Sequence, residues 1–538
     1  MRKFQVITAV GLVFLSCLTV FAAPKLSKTQ EITYNLSTEP RTIDPGVQNA
    51  VVESTVIINC FEGLMRLGPG DAPQPGVAEK WDVSKDGITY TFHLRKDAKW
   101  SNGDPVTAHD FEYAWKRALD PKLASEYAYQ LYYLKNGEAY NTKKITNPDL
   151  IGVKAKDDYT LSVTLEGPCP YFLSLCYFPT LNPIHRKTVE KYGEKWTLDP
   201  KTYISNGPFR MTKWIHNERL EFEPNPYYWN KKAIKLTKMT FLLVEEQSTS
   251  QTMYESGQID FLDDNGISRP EIPRLKEEGV LKVNPYLGTY YYMFNLKHEP
   301  VNNLKVRQAL NLAINRADIV KYITKAGEVP ALAFVPDGIP DAKPETFFRT
   351  VGGNFYKDND VETAKKLLAE AGYPGGKGFP TIEILYNTHE MHKQIAEAIQ
   401  EMWKKNLNIN VTITNQEWSV YMTNRQALTY NSVCRAGWIG DYVDPMTFID
   451  QWTTTSGNNH TGWSNAQYDK LVDRAKTTGN QKDRMKAMHD AEVILMKEMP
   501  IMPIYFYTKP YLMKDWIKGV NQSALGFIDF SRAYVIAH

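Results

Sequence analysis

Between Asp360 and Ile413 the chain carries a unit that few architectures can hold. Ala364, Leu367, Leu368 and Ala371 fall on one face of a helix over 360–371. Gly372 stands where such a helix needs a left-handed residue, and Pro374 prevents its continuation. A strand from Thr381 to Tyr386 follows, then a helix bearing Ile395, Ile399, Met402 and Trp403 on one face. Ile409, Val411 and Ile413 then alternate as in a second strand. Strand, helix and strand in that order predict a parallel pair joined by a crossover, and so a mixed α/β chain.

The rest of the sequence fits that class. Ile32 to Leu36 reads as a first strand, and the apolar stretch from Val51 to Met65 as a helix. Tyr90, Phe92 and Leu94 alternate as in a half-buried strand, as do residues from Tyr159 to Leu165. Thr107 caps a helix with Asp110 placed to answer it, and Phe111, Ala114, Trp115 and Leu119 form its apolar face. Thr289 to Asn295 is a tyrosine-rich strand, and Asn303 caps the helix that follows. At 538 residues the chain is too long for one core, and about 150 residues per domain suggests three or four.

With 63 basic against 61 acidic residues and no long basic stripe, nucleic acid is not an expected partner. Met1-Arg2-Lys3 followed by the apolar run Phe4–Ala22 reads as a signal peptide over residues 1–22, cleaved before Ala23. The mature chain is therefore expected to be exported. Phe14-Leu15-Ser16-Cys17 faintly resembles a lipoprotein box, so a lipid-anchored, cell-surface protein is the alternative to a periplasmic one. Cys60, Cys169, Cys176 and Cys434 are too few for a disulfide scaffold. Cys169 and Cys176 could pair or stand as lone thiols.

Sites of chemistry are scarce. His389-Glu390-Met391-His392 has three positions between histidine numbers where the zinc-protease helix needs four. Gly375-Gly376-Lys377-Gly378 lacks the spacing and the hydroxyl of a phosphate loop. Neither a G-x-S-x-G elbow nor a dinucleotide fingerprint occurs, so no catalytic residue, metal or cofactor is expected. The stretch Cys434 to Pro445 is more informative. Asp444-Pro445 reads as a helix cap. Asp441, after Gly437 and Gly440, has no such structural duty. Arg435 lies six residues earlier, about 20 Å away in an extended chain, roughly the span of a short peptide. A solvated surface loop would explain the same residues.

Several segments together resemble the oligopeptide-binding (OppA-like) members of the peptide/nickel-binding group, solute-binding protein family 5. They are Pro75–Trp81, P-V-T-A-H-D-F from Pro105, Asn225–Trp229, Y-N-T at 386–388 with His392 nearby, N-Q-E-W ending at Trp418, and R-A-G-W from Arg435. The resemblance covers the mature chain and implies a type II, cluster C periplasmic-binding-protein fold, in which two α/β lobes close on the ligand and an extra lobe packs beside them. It implies lobe I at 23–61, 187–288 and 508–538, an extra lobe II at 62–186 and lobe III at 289–507. It further implies an exported, monomeric, non-enzymatic receptor that captures short peptides by hinge closure and passes them to a membrane ABC permease. By the same resemblance Asp441 meets the peptide ammonium, and Gly437, Trp438 and Ile439 pair with its backbone, with Asn49, Ala50 and Val51 as the second pairing segment. Arg435 matches a carboxylate-binding position. His392 and Arg425 match positions that suit other peptide lengths, and Trp418, Tyr286 and Asn458 match pocket linings. Asn49 replaces a glutamate of enteric relatives, and Gly288 and Ile439 replace their disulfide-bonded pair. A murein peptide, a nickel complex or haem as cargo, or a secreted hydrolase, are the rival readings.

Overall fold

The computed structural model describes residues 25–343 and 345–538. The expected signal peptide and Cys17 lie outside the described residues. The chain is mixed α/β, and the crossover unit forms as its periodicity predicts. Strands Ile382–Asn387 and Val411–Gln416 pair in parallel, joined by the helix Glu390–Leu407. Its Ile395, Ile399 and Trp403 are buried against the sheet.

These strands belong to an eleven-stranded sheet that runs through the molecule. At one end lie Val411–Gln416, Ile382–Asn387 and Val433–Ile439. At the other lie Phe261–Leu262, Glu31–Asn35, Lys238–Leu242, Arg219–Pro224 and Phe209–Ile215. Two 13-residue strands, Lys282–Phe294 and Ile501–Met513, pair antiparallel between the two ends. Their register breaks between Pro285 and Thr289. Lys282–Pro285 face Thr508–Tyr511, and Thr289–Met293 face Ile501–Phe506, so each long strand serves both ends. The Thr289 strand thus starts seven residues earlier than apolar patterning suggests. Lys282–Pro285 are polar or half-exposed and carry no core-facing alternation.

A separate four-stranded sheet, Ala78–Val83, Thr89–Leu94, Thr160–Thr164 and Val153–Asp157, packs beside this body. Tyr90, Phe92 and Leu94 point inward as expected. The helix Ala108–Ala118 lies on it with the Thr107–Asp110 capping box in place, which satisfies amides that a helix start leaves open. The helix from Val51 ends at Cys60, short of the expected Met65. Tight backbone packing explains this: a Cβ at Gly63 would meet the Cys176 carbonyl oxygen at 2.3 Å, and one at Gly207 the Cys60 backbone at 2.6 Å. Met65–Leu67 instead forms a short strand with Pro73–Pro75.

Cys60, Cys169, Cys176 and Cys434 are all free and buried, so Cys169 and Cys176 do not pair. Among the described residues no helix is long and apolar enough to cross a membrane. Asp444 caps as expected, accepting from Met446 N at 2.9 Å, and also takes two N–H bonds from buried Arg484 at 2.8 and 2.5 Å. Removing the carboxylate would strand that guanidinium, so Asp444→Ala is expected to destabilise by about 3–5 kcal/mol. Thr107→Ala, which removes only a cap, is expected to cost about 1 kcal/mol. Urea unfolding of both variants checks the ranking.

Candidate functional site

The strand Val433–Ile439 has two different edges. Along one it pairs fully with Lys282–Phe294, from Ile439↔Gly288 to Val433↔Phe294. Along the other, Ile382–Asn387 pairs with it only at Val433 and Cys434. From Arg435 to Ile439 that second edge has no strand neighbour. Gly440 N donates to Leu287 O at 2.8 Å, and antiparallel pairing alternates. Ala436 and Trp438 therefore turn their amides to the paired side, and Arg435, Gly437 and Ile439 turn theirs to the open side. Tyr421 Oη already donates to the Arg435 carbonyl there. The backbone groups of Gly437 and Ile439 thus face open space.

That space is a cavity of about 220 Å³. Twelve of the thirteen residues singled out from the sequence line it: Asp441, Arg435, Gly437, Trp438, Ile439, Asn49, Ala50, Val51, Trp418, His392, Arg425 and Tyr286. Asn458 is not among these lining residues; it is buried beside Tyr129. Asn49–Val51 form the opposite rim, with Ala50 in an extended conformation at the start of the Val51–Cys60 helix. Asn49 is anchored there: its Nδ2 donates to Glu126 Oε1 at 2.6 Å and its backbone N to Glu53 Oε2 at 2.7 Å.

The charged groups of the cavity are enclosed and poorly matched. Asp441 is buried, with Tyr127 Oη donating at 3.2 Å and Gln130 Nε2 at 2.5 Å to its carboxylate. Among the described residues it makes no ion pair. Burial first, and then nearby Asp450, push its carboxyl well above the usual range. Arg435 donates to Tyr507 Oη at 3.0 Å and Asn387 Oδ1 at 3.4 Å, and lies 4.7 Å over the Tyr290 ring. Among the described residues Arg425 has only the Met422 sulfur, at 3.7 Å. Among the described residues neither guanidinium forms an ion pair with a carboxylate, and both Nε atoms are buried without a partner. His389 and His392 stack with centroids 4.4 Å apart. Burial, helped by the guanidiniums, drives His389 down to about 3 and His392 well below its ordinary value, so both are neutral imidazoles.

Some of these partners carried no sequence signal. Tyr127 and Gln130, on the short helix Glu126–Leu131, reach Asp441 across 314 and 311 residues of chain. Tyr507 approaches because residue 437 is glycine: a Cβ there would meet its hydroxyl at 2.6 Å. Gly288 and Ile439 are direct cross-strand partners, and a Cβ at Gly288 would strike Ile439 Cδ1 at 2.3 Å. The isoleucine fills the space a second side chain would need.

The model for bacterial extracellular solute-binding proteins, family 5 Middle, matches residues 72–460. The chain belongs to that family, with the type II binding-protein fold. The oligopeptide-binding protein OppA of Bacillus subtilis is 41% identical over 514 residues, covering 94% of this chain and 92% of the relative. Haemophilus influenzae OppA, in complex with the peptide RPPGFSPFR, superposes with a TM-score of 0.90 at 38% identity, over 95% of this chain and 100% of the other. The Escherichia coli murein tripeptide binding protein MppA gives 0.89 at 35% identity, over 95% and 100%. The unliganded open form of MppA gives only 0.63, although coverage is 96% and 99%. The present chain therefore has the closed arrangement of lobes.

Closure around an empty cavity works against Asp441. Its pKa in the closed form lies above the solvated value, so the penalty is absent below about pH 3.9 and complete above the closed-form pKa. Asp441→Asn, which carries no charge, should lift it. The ligand-free variant is expected to be more compact than the native protein at pH 7.5 by small-angle X-ray scattering.

Proposed function

We propose that the chain is a non-enzymatic, extracytoplasmic receptor for short oligopeptides that closes over its ligand and delivers it to a membrane ABC permease. The observation that carries this reading is the pairing of unmatched buried charges with an open strand edge. A sequence-tolerant peptide binder can recognise only what all peptides share, namely an ammonium, a carboxylate and a backbone. Asp441 offers the counter-charge for the first, and Arg435 or Arg425 for the second. Gly437 and Ile439 offer free amide and carbonyl groups for an added strand. Trp438, whose amide turns to the paired edge, contributes its ring, stacked on Tyr127 at 6.1 Å. Trp418, Tyr286 and the neutral histidines complete the walls. The relatives named OppA are oligopeptide-binding proteins, which supports the same cargo.

In this reading residues 23–61, 187–288 and 508–538 form one lobe and 289–507 the opposing one, with 62–186 as the extra lobe. The crossing strands Lys282–Phe294 and Ile501–Met513 form the hinge, at the register break between Pro285 and Thr289. The protein acts as an exported monomer after loss of residues 1–22, with no cofactor. A metal complex or haem as cargo would leave Asp441 without a partner, whereas a peptide gives it one.

Truncating one member of an enclosed charge pair costs about 2–5 kcal/mol, or roughly 30- to 4,000-fold in affinity. Asp441→Ala is expected to lose that much affinity for short peptides with a free N-terminus while unfolding at the native denaturant midpoint. N-acetylation of the peptide should weaken native binding to a similar degree. Equal calorimetric affinity of the native and Asp441→Ala proteins would remove peptide ammonium recognition from the account.

A pH dependence follows from the histidines. Their pKa is depressed in the closed form, so they do not oppose closure above about pH 6.5 and oppose it increasingly as pH falls below that. Peptide affinity is expected to fall between pH 7 and pH 5. A His389→Gln, His392→Gln double variant should show a flatter profile in the same titration.

A further inference from the structure

The cavity holds one buried carboxylate, Asp441, one buried guanidinium, Arg425, and one half-buried guanidinium, Arg435. A zwitterionic peptide with uncharged side chains brings one positive and one negative group. Its ammonium matches Asp441 and its carboxylate matches one guanidinium, and the other guanidinium then stays enclosed with no carboxylate bonded to it. Resting on the peptide-receptor reading, we propose that this site is selective for acidic peptides, those carrying an aspartate or glutamate side chain in addition to their termini, and that Arg425 meets that side chain.

Arg425 is the less satisfied of the two guanidiniums. Arg435 has Tyr507, Asn387 and the face of Tyr290. Arg425 has one sulfur contact, and its Nε is buried with no acceptor. Four other buried guanidiniums in this chain find carboxylates: Arg269 with Asp264, Arg316 with Asp358, Arg349 with Glu492 and Arg484 with Asp444. Buried Arg307 instead donates to backbone carbonyls of Val301, Asn302, Glu498 and Met499, whereas among the described residues Arg425 has neither kind of acceptor. The nearby carboxylate, Glu126, attracts Arg425 through space but makes no hydrogen bond or ion pair with it, because its oxygens are taken by other donors. It takes His460 at 3.0 Å, Asn49 Nδ2 at 2.6 Å and Gln426 Nε2, with Arg41 at 3.5 Å. Asn49, at the rim, is neutral and occupied by Glu126 and Arg41. Glu245 lines the outer part of the cavity but is exposed and held by Thr38 Oγ1 at 3.0 Å. His389 and His392 add no negative charge. A ligand carboxylate is the missing partner, and a planar guanidinium with free N–H groups suits one better than any neutral side chain.

The same arithmetic opposes basic peptides. A lysine side chain would add a second cation to a cavity that already holds an unpaired one.

Calorimetry with peptide series of three and four residues, identical except for one interior Glu, Gln or Lys, tests this. At pH 7.5 the Glu peptides are expected to bind about tenfold or more tightly than the Gln peptides, with Lys weakest. Arg425→Gln should collapse the Glu-to-Gln ratio toward one, and Arg425→Lys should restore part of it. The native Glu-to-Gln ratio should also fall toward one near pH 4, where a free glutamate side chain becomes protonated; this measurement needs no variant to fold. Equal native affinities for Glu and Gln peptides, or a ratio unchanged in a folded Arg425→Gln protein, would overturn the proposal. Binding of the Gln peptides in either case would leave the peptide reading standing. Failure of all three series to bind would overturn both.

Discussion

Charge enclosed without a partner is the constraint on which this structure turns. Taking a carboxylate or a guanidinium out of water is expensive, and folded chains normally offset it with a matched partner. Most of this molecule obeys that rule: Asp444 meets Arg484, Glu492 meets Arg349, and Asp44 meets Arg117. The cavity departs from it. Asp441 has a hydroxyl and an amide, Arg435 a phenol and an amide, Arg425 a thioether. A closed form with these groups unmatched is poor by itself. In the proposed reading a ligand supplies the opposite charges, so that affinity and closure come from one source. A ligand shifts the equilibrium only by what it offers the closed state over the open one.

The sheet makes that arrangement possible. One strand, Val433–Ile439, is central to the sheet on one side and an edge strand on the other. Its parallel neighbour stops pairing at Cys434, which leaves Arg435 to Ile439 exposed to the cavity. An open edge is a liability in most proteins because it invites other chains. Here it lines a cavity rather than the outer surface. Glycine at 437 keeps this edge low and lets Tyr507 approach Arg435. The long strands that carry the register break join this edge to the other end of the same hydrogen-bonded sheet.

Much of this was legible in the sequence. The crossover unit at 360–413, the capping box at Thr107, the alternating strands and the capping role of Asp444 are local patterns, set by residues within a few positions of one another. The oddity of Asp441 was also visible, because it follows two glycines and precedes a cap that does not need it. Where the helix from Val51 ends was not legible, because the cause is not local: backbones distant in sequence crowd Gly63 and Gly207.

What the sequence determined by itself was the kind of elements, their order and the class of chain, since hydrophobic period and cap chemistry act over a turn or a strand. Tertiary structure alone decided which charges would be left unmatched. Asp441 meets Tyr127 and Gln130 over three hundred residues away in the chain, and Arg425 faces a Glu126 already claimed by His460, Asn49 and Arg41. Whether a charge has a partner depends on distances set by the packing of whole lobes, and no periodicity along the chain records them.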